Sequence, residues 1–411
     1  MVDPGAKSGQ PSCCACGRTL DKPSSAAIDR RMASSESLKT AAQDAIAAGD
    51  FHQAERLIRQ ALRQAPDDPD LWSSHADALD ELDRVAEAAV AFQRAVALDP
   101  SNAARLQNYG MNRLKLGFLA EGFRIYEARI PLLEAAGALF SGFAGHPRWD
   151  GSSRQRVMVC GEQGLGDQIM FARFIPRVAA IAGWAMVAVR PALVELFARH
   201  FAVLRPRAAG SSIAEVPSFD SWIPIGSLPF ALGCRVGEDL RSPAYLTADP
   251  ARVARWSAAI DRTRLTVGLA WHGNPSFSRN ARRSLSVPLL EPLRAVAGVR
   301  FYGLQIPSDA DVPPWLDDLA PRIDDFEDTA AILDQIDLLI TSDTAIAHLA
   351  GAMGRPVWLM LSRVCDWRWG LEGAATPWYG SMRLFRQPTL GDWRAVVDQV
   401  VTALGDLTRR R

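Results

Sequence analysis

A period of 34 residues runs through the N-terminal part of the chain. Ala54, Ala88 and Gly122 are spaced by it, as are Gly49, Asp83 and Gly117, and Leu57, Ala91 and Ile125; Ala61 with Ala95 and Pro66 with Pro100 keep the same interval. A period of this length marks a supersecondary unit that buries its apolar face only by stacking on copies of itself. Each marked position has a physical job. Small residues at 54, 88 and 122 let two helices approach closely. Gly49 and Gly117 fall where a turn between helices needs a positive φ, which glycine tolerates. Pro66 and Pro100 fall where the second helix must stop, since proline cannot continue it. The period therefore predicts stacked helix–turn–helix units.

This pattern resembles the tetratricopeptide repeat over residues 35–136, with about three units. The third unit departs from it: Arg129 stands where Ala61 and Ala95 stood, and Pro131 breaks the second helix early. That unit is predicted to be a junction docking on the next domain. Stacked pairs make a concave face suited to a peptide or protein partner; equally, three repeats can serve only to cap and stabilise the domain beside them.

After Trp149-Asp150-Gly151 the pattern changes. Val157-Met158-Val159-Cys160 reads as a strand, and a glycine-rich turn, Gly161-Glu162-Gln163-Gly164-Leu165-Gly166-Asp167, leads into a helical stretch from Gln168 to about Ala182. Met186–Val189 is a further strand. Residues 247–264 are polar and bridge two lobes. The alternation then restarts with strands at 265–270, 300–304, 337–341 and 356–360, separated by helical stretches that include 329–335 and 344–353. Strands alternating with helices argue for parallel sheets. Two Rossmann-like lobes place a cleft at the carboxyl ends of their strands. The expected division is a disordered tail over 1–34, repeats over 35–136, a linker over 137–153, an N-terminal lobe over 154–250, a C-terminal lobe over 251–405 and a tail over 406–411.

The densest chemistry lies in Ser342-Asp343-Thr344-Ala345-Ile346-Ala347-His348-Leu349-Ala350-Gly351-Ala352-Met353-Gly354-Arg355-Pro356. A strand end here passes at once into a helix. Asp343 or Thr344 can cap that helix, and free N–H groups at a helix start bind phosphate oxygens. His348, one turn further on, reaches the same ligand.

That segment resembles the donor-site motif of the heptosyltransferase-like glycosyltransferases, which have the GT-B fold. Matching stretches occur in order: the turn 161–167, Trp271-His272-Gly273-Asn274-Pro275, Arg282-Arg283-Ser284, Asp366-Trp367-Arg368-Trp369, Pro377-Trp378-Tyr379-Gly380 and Arg383-Leu384-Phe385-Arg386-Gln387. The resemblance covers roughly 154–405 and extends to members fused to tetratricopeptide repeats. It implies a fold of α plus α/β class, with helical repeats followed by a two-lobed GT-B transferase. It also implies an inverting transfer from a nucleotide sugar, without metal, to a protein such as a flagellin or to a surface glycan. By match, Asp167 is the acid near the acceptor and can take the proton of the attacking hydroxyl; its plainer role is to cap the helix at Gln168. His272, beside the cleft by strand position, is the second catalytic candidate and touches phosphate or acceptor. Gln163, Gly164 and Gly166 lie on the acceptor side. The resemblance places Asn274, Arg282, Arg283, Ser284 and Gln305 on the donor side, with Asp343, Thr344, Ala345 and His348. Arg282, Arg283 and Arg279 can supply the positive charge that a pyrophosphate leaving group needs. The Trp-rich segment 366–369 stacks on a base or sugar, or fills the lobe interface.

Composition narrows the alternatives. Lys+Arg and Asp+Glu are both 46, so no basic excess points to nucleic acid. No apolar run approaches the roughly 18 residues of a membrane span, and the N-terminus lacks the pattern of a secretory signal. Cys13-x-x-Cys16 is half of a zinc-ribbon pattern with no second pair, and Cys160, Cys234 and Cys365 are scattered, which fits a reducing cytoplasm. No D-x-D motif stands where it could hold a metal, and no cofactor is expected beyond the nucleotide-sugar co-substrate. Arg409-Arg410-Arg411 reads as a solvated tail. The competing reading is a tetratricopeptide scaffold that keeps the transferase fold without activity; another is a nucleotide-sugar enzyme of the same fold, such as an epimerase.

Overall fold

A computed structural model describes residues 34–135, 143, 145–204, 217–275, 280–306 and 312–411. The cysteine pattern Cys13-x-x-Cys16, the disordered tail and Arg279 lie outside the described residues. Six helices form three antiparallel pairs: α1 (Ser35–Ala47) with α2 (Phe51–Leu62), α3 (Pro69–Glu81) with α4 (Val85–Leu98), and α5 (Ala103–Lys115) with α6 (Leu119–Tyr126). The period has a backbone cause. Gly49, Asp83 and Gly117, one at each intra-pair turn, have φ of 77°, 62° and 84°. Aspartate is among the few side chains that visit this region routinely, so Asp83 keeps the period where glycine is absent. Ala54 and Ala88 are fully buried between helices. At Gly122 the approach is closer still: a Cβ there would lie 2.7 Å from Leu114 Cδ2 and 2.9 Å from Leu114 N.

The third pair ends as its sequence suggested. α6 stops at Tyr126, and a short α7 (Arg129–Ala135) starts afresh with Pro131 in its first turn. A proline ring clashes with the carbonyl four residues back. The break at 127–128 removes that conflict.

Two parallel sheets complete the chain. The first has three strands in the order β2-β1-β3, where β1 is Gln155–Cys160, β2 Gly183–Ala188 and β3 Ser221–Pro224. Helices α8 (Leu165–Phe171) and α9 (Ile175–Ala182) connect β1 to β2. The second sheet has six strands in the order β6-β5-β4-β7-β8-β9: β4 is Leu265–Ala270, β5 Val299–Gly303, β6 Asp317–Asp318, β7 Leu338–Ser342, β8 Val357–Leu361 and β9 Met382–Arg386. From β4 the chain runs outward one way through β5 and β6. From β7 it runs the other way through β8 and β9. The crevice at the carboxyl ends of β4 and β7 is thus a topological switch point, where open α/β sheets bind ligands.

The C-terminal helix, Trp393–Arg410, packs Val396, Val397, Val400 and Leu404 against the second lobe. The expected tail over 406–411 is corrected here. Helix continues through Arg410, its basic last turn suits the negative helix end, and Arg411 Nη1 reaches Asp337 Oδ2 at 2.9 Å. No helix of the described residues is long and apolar enough to cross a membrane.

The cores divide unevenly. The first two helix pairs have small cores of their own. Leu114, Phe123 and Tyr126 of the third pair instead belong to one continuous apolar cluster that runs through both lobes.

Candidate functional site

Two strand-to-helix turns, one from each lobe, meet in the cleft. In the first lobe β1 ends at Cys160 and α8 begins at Leu165. Gln163 within this turn has φ of 60°, unusual for a non-glycine residue. The helix starts at Leu165 rather than Gln168, so Asp167 is not its N-cap but lies in its first turn, where Oδ2 reaches back to accept the Gly164 N–H at 2.9 Å. In the second lobe β7 ends at Ser342, and the helix Ala345–Ala352 begins three residues later. Thr344 occupies the N-cap in an extended conformation, but its hydroxyl does not cap the helix; it lies 3.4 Å from Thr341 Oγ1. Among the described residues, the first N–H groups of this helix therefore meet no side-chain acceptor. Gly166 lets the two helix starts touch, because a Cβ there would fall 2.7 Å from His348 Cδ2 and 3.5 Å from Ala345 Cα.

Charge is concentrated at this contact. Arg368 Nη2 pairs with Asp167 Oδ1 across the lobes, and Arg368 Nη1 with Asp366 Oδ1 at 2.6 Å. Burial raises the Asp167 pKa despite the opposing pull of Arg368. Burial, and then repulsion from Asp366, push Asp343 up to about 6. His348 goes the other way. Burial first, then Arg368 and Arg173, lower it to about 3, so its ring is neutral at ordinary pH. The ring is fixed by a stack on Trp369, with centroids 5.3 Å apart, and by Nδ1 lying 3.0 Å from Tyr379 Oη. Its Nε2 lies 4.0 Å from Asp343 Oδ1. Ser342 Oγ is buried at the end of β7 with no hydrogen-bond partner among the described residues. An unpaired buried hydroxyl at a strand end invites a ligand or a water.

The loop after β4 forms the remaining wall. Gln305, buried, accepts the N–H groups of Trp271 and His272 at 2.9 Å each, and its Nε2 donates to the His272 carbonyl at 3.1 Å. Gln305 is therefore the brace of the 271–273 loop, and its amide is spent on protein groups. His272 is half-buried, with Nδ1 3.2 Å from Gln305 Nε2. Asn274 lies exposed beyond it. Arg283 lies over Gly273, where a Cβ would sit 2.7 Å from Arg283 Nη2. It is close enough to lower the pKa of both Asp343 and His348. Ser284 Oγ is turned to the Asn280 carbonyl at 2.8 Å.

Arg282 needs correction as a donor-side residue. It pairs with Glu81 of α3, and its guanidinium stands 4.8 Å from the Phe51 ring of α2. Adjacent residues on a helix point about 100° apart, and here Arg282 is directed at the helix pairs while Arg283 lies over the 271–273 loop. The Gln163 side chain is held by the third helix pair, donating to Tyr126 Oη at 2.6 Å. Sequence reasoning missed Arg368, Tyr379 and Glu162 as site residues. All three lie inside stretches that carried the resemblance. Trp367 and Trp369 are buried at the lobe interface, the packing alternative for that segment.

Comparison with known proteins adds to this geometry. Residues 39–103 match the tetratricopeptide-repeat profile, and residues 310–359 match glycosyltransferase family 9 (heptosyltransferase), a stretch that includes Asp343, Thr344 and His348. Protein FlbA of Caulobacter vibrioides is 31% identical over 383 residues, covering 84% of this chain. The chain in turn spans 63% of that relative's length. Among solved structures, a family 9 glycosyl transferase from Veillonella parvula aligns at 11% identity over 64% of this chain and 99% of its own, with a TM-score of 0.44. The iron-containing dodecameric glycosyltransferase TibC of enterotoxigenic E. coli aligns at 14% identity over 63% of this chain and 77% of its own, also with a TM-score of 0.44. The chain thus joins helix pairs that match the tetratricopeptide repeat to two parallel-sheet lobes, the second of which carries the match to glycosyltransferase family 9 (heptosyltransferase).

Proposed function

We propose that this chain is a glycosyltransferase that moves a sugar from a nucleotide-sugar donor to a protein or glycan acceptor, with inversion and without a metal ion, in the cytoplasm. The observation that carries the reading is the meeting of the two helix starts at Gly166 and His348. It sets a candidate base, Asp167, beside a helix start whose N–H groups meet no side-chain acceptor among the described residues.

In the proposed step the acceptor oxygen forms a bond to the anomeric carbon as its proton passes to the Asp167 carboxylate. The bond from that carbon to the diphosphate oxygen breaks, and the electron pair leaves on the diphosphate. Burial strengthens Asp167 as a base by raising its pKa. The helix start at Thr344-Ala345 supplies N–H donors to the leaving group, and Ser342 Oγ a further polar contact. Arg283 supplies positive charge without a metal. A diphosphate at the helix start also competes with Asp167 for Arg368, which frees the carboxylate for the acceptor. His348, neutral and fixed, is suited to hydrogen bonding rather than to charge neutralisation. The unpaired thiols Cys160, Cys234 and Cys365 fit a reducing compartment.

The reading is tested with Asp167→Asn, which keeps a helix-capping side chain but cannot take the proton. Single-turnover transfer falls roughly 100- to 10,000-fold, while affinity for the matching nucleoside diphosphate from a panel of ADP, GDP and UDP stays near wild type. Near-normal transfer excludes Asp167 as the base. A second test uses pH. Diphosphate favours the neutral form of Asp343, so wild-type affinity relative to Asp343→Asn declines as pH rises through about 6. Calorimetric titrations of both proteins on either side of that pH measure the difference, and parallel curves remove Asp343 from the donor site.

A further inference from the structure

Of the three helix pairs, the third alone joins the core that surrounds the cleft. It does more than cover apolar surface. Arg129 of α7 and Glu162 of the first-lobe turn are each 1% exposed at the side chain and form a two-pronged ion pair, with Arg129 Nε 3.0 Å from Glu162 Oε2. Arg129 Nη2 also donates to Ser227 Oγ at 2.9 Å, and Glu162 Oε1 accepts the Gly226 N–H at 2.9 Å. The next residue of the turn, Gln163, donates to Tyr126 Oη at 2.6 Å and holds a left-handed backbone. Asp167 lies four positions further on. The same face of α6 touches the opposite arm of the cleft. The Trp367 ring lies 6.1 Å from Tyr126 and 6.0 Å, edge-on, from Phe123. Trp367 adjoins Arg368, the partner of Asp167.

We infer that Tyr126 and Arg129 are positioning residues. The third helix pair sets the conformation of the Glu162–Gln163 turn, and through it the place of Asp167, so the repeats form part of the transfer machinery. A surface that merely docked would need apolar contact alone. Here two polar side chains end on two consecutive residues of a turn whose backbone is in an unfavoured region. The consequence for transfer rests on the reading of Asp167 as the base. The consequence for the turn does not.

Tyr126→Phe in the full chain is the test, since it keeps the ring and its contact with Trp367 and removes one oxygen. Amide exchange of the 161–168 segment, followed by mass spectrometry, quickens roughly two- to tenfold, as expected for one hydrogen bond. Exchange of 345–352, melting temperature and affinity for ADP, GDP or UDP stay as in wild type. Transfer turnover falls with the exchange effect. Arg129→Lys, which keeps the charge but not the fork, quickens the same segment. Unchanged exchange at 161–168 in Tyr126→Phe overturns the inference. If the wild-type chain transfers no sugar while Tyr126→Phe still quickens exchange at 161–168, the catalytic reading is overturned and the positioning is supported.

Discussion

The first two helix pairs and the third are built on one period yet attached in different ways. Pairs one and two close their own small cores and meet the second lobe through polar side chains: Arg363 Nε with Asp83 Oδ2 at 2.6 Å, and Arg282 with the buried Glu81. The third pair has no separate core. Its apolar face, and the buried Arg129 of α7 that follows it, are shared with the lobes. A repeat array is usually a sum of near-independent units and neighbour contacts. Here one unit has been taken out of the array and made part of the domain beside it.

Breaking the buried ion pair has the largest expected effect on that contrast. Arg129→Met leaves Glu162 buried without its cation, at a cost of about 3–5 kcal/mol. The companion double variant Arg129→Met with Glu162→Leu recovers much of that loss, because neither charge remains to be desolvated. Urea unfolding of both proteins decides the matter, and a single variant as stable as wild type breaks the comparison. The smallest expected effect comes from the surface clamp. Arg363→Ala removes the contact to Asp83 from a pair that water reaches on both sides, so the loss stays below about 1 kcal/mol. The same unfolding measurement reads it, and a loss as large as that of Arg129→Met would show that the first two pairs are held as tightly as the third.

The repeats were legible because their turns demand a positive φ and their helices demand small residues at a fixed interval. β4, β7 and β8 were legible because strands covered on both faces read as unbroken apolar runs. β3 was not set apart as a strand: Ser221–Pro224 is short and ends in proline. Nor was β9, where Arg383 is exposed amid buried neighbours. The helix start at Thr344 announced itself through local chemistry. Its partners did not. Arg368 lies 201 residues from Asp167, and no local pattern connects them. Arg282 and Arg283 looked equivalent in sequence, and only the rotation along their short helix separates one that faces the cleft from one that faces Glu81.

The shared core of the third pair also sets a schedule. Residues of the first two pairs can close their cores as soon as they are made. Phe123 must wait for Trp367, which is 367 − 123 = 244 residues further along. At a synthesis rate of about 5–20 residues per second, that is roughly 12–50 seconds during which Leu114, Phe123 and Tyr126 have no native partner in the second lobe. In that interval the nascent chain presents a finished helical module followed by an unfinished one, and it is the unfinished one that a chaperone would find.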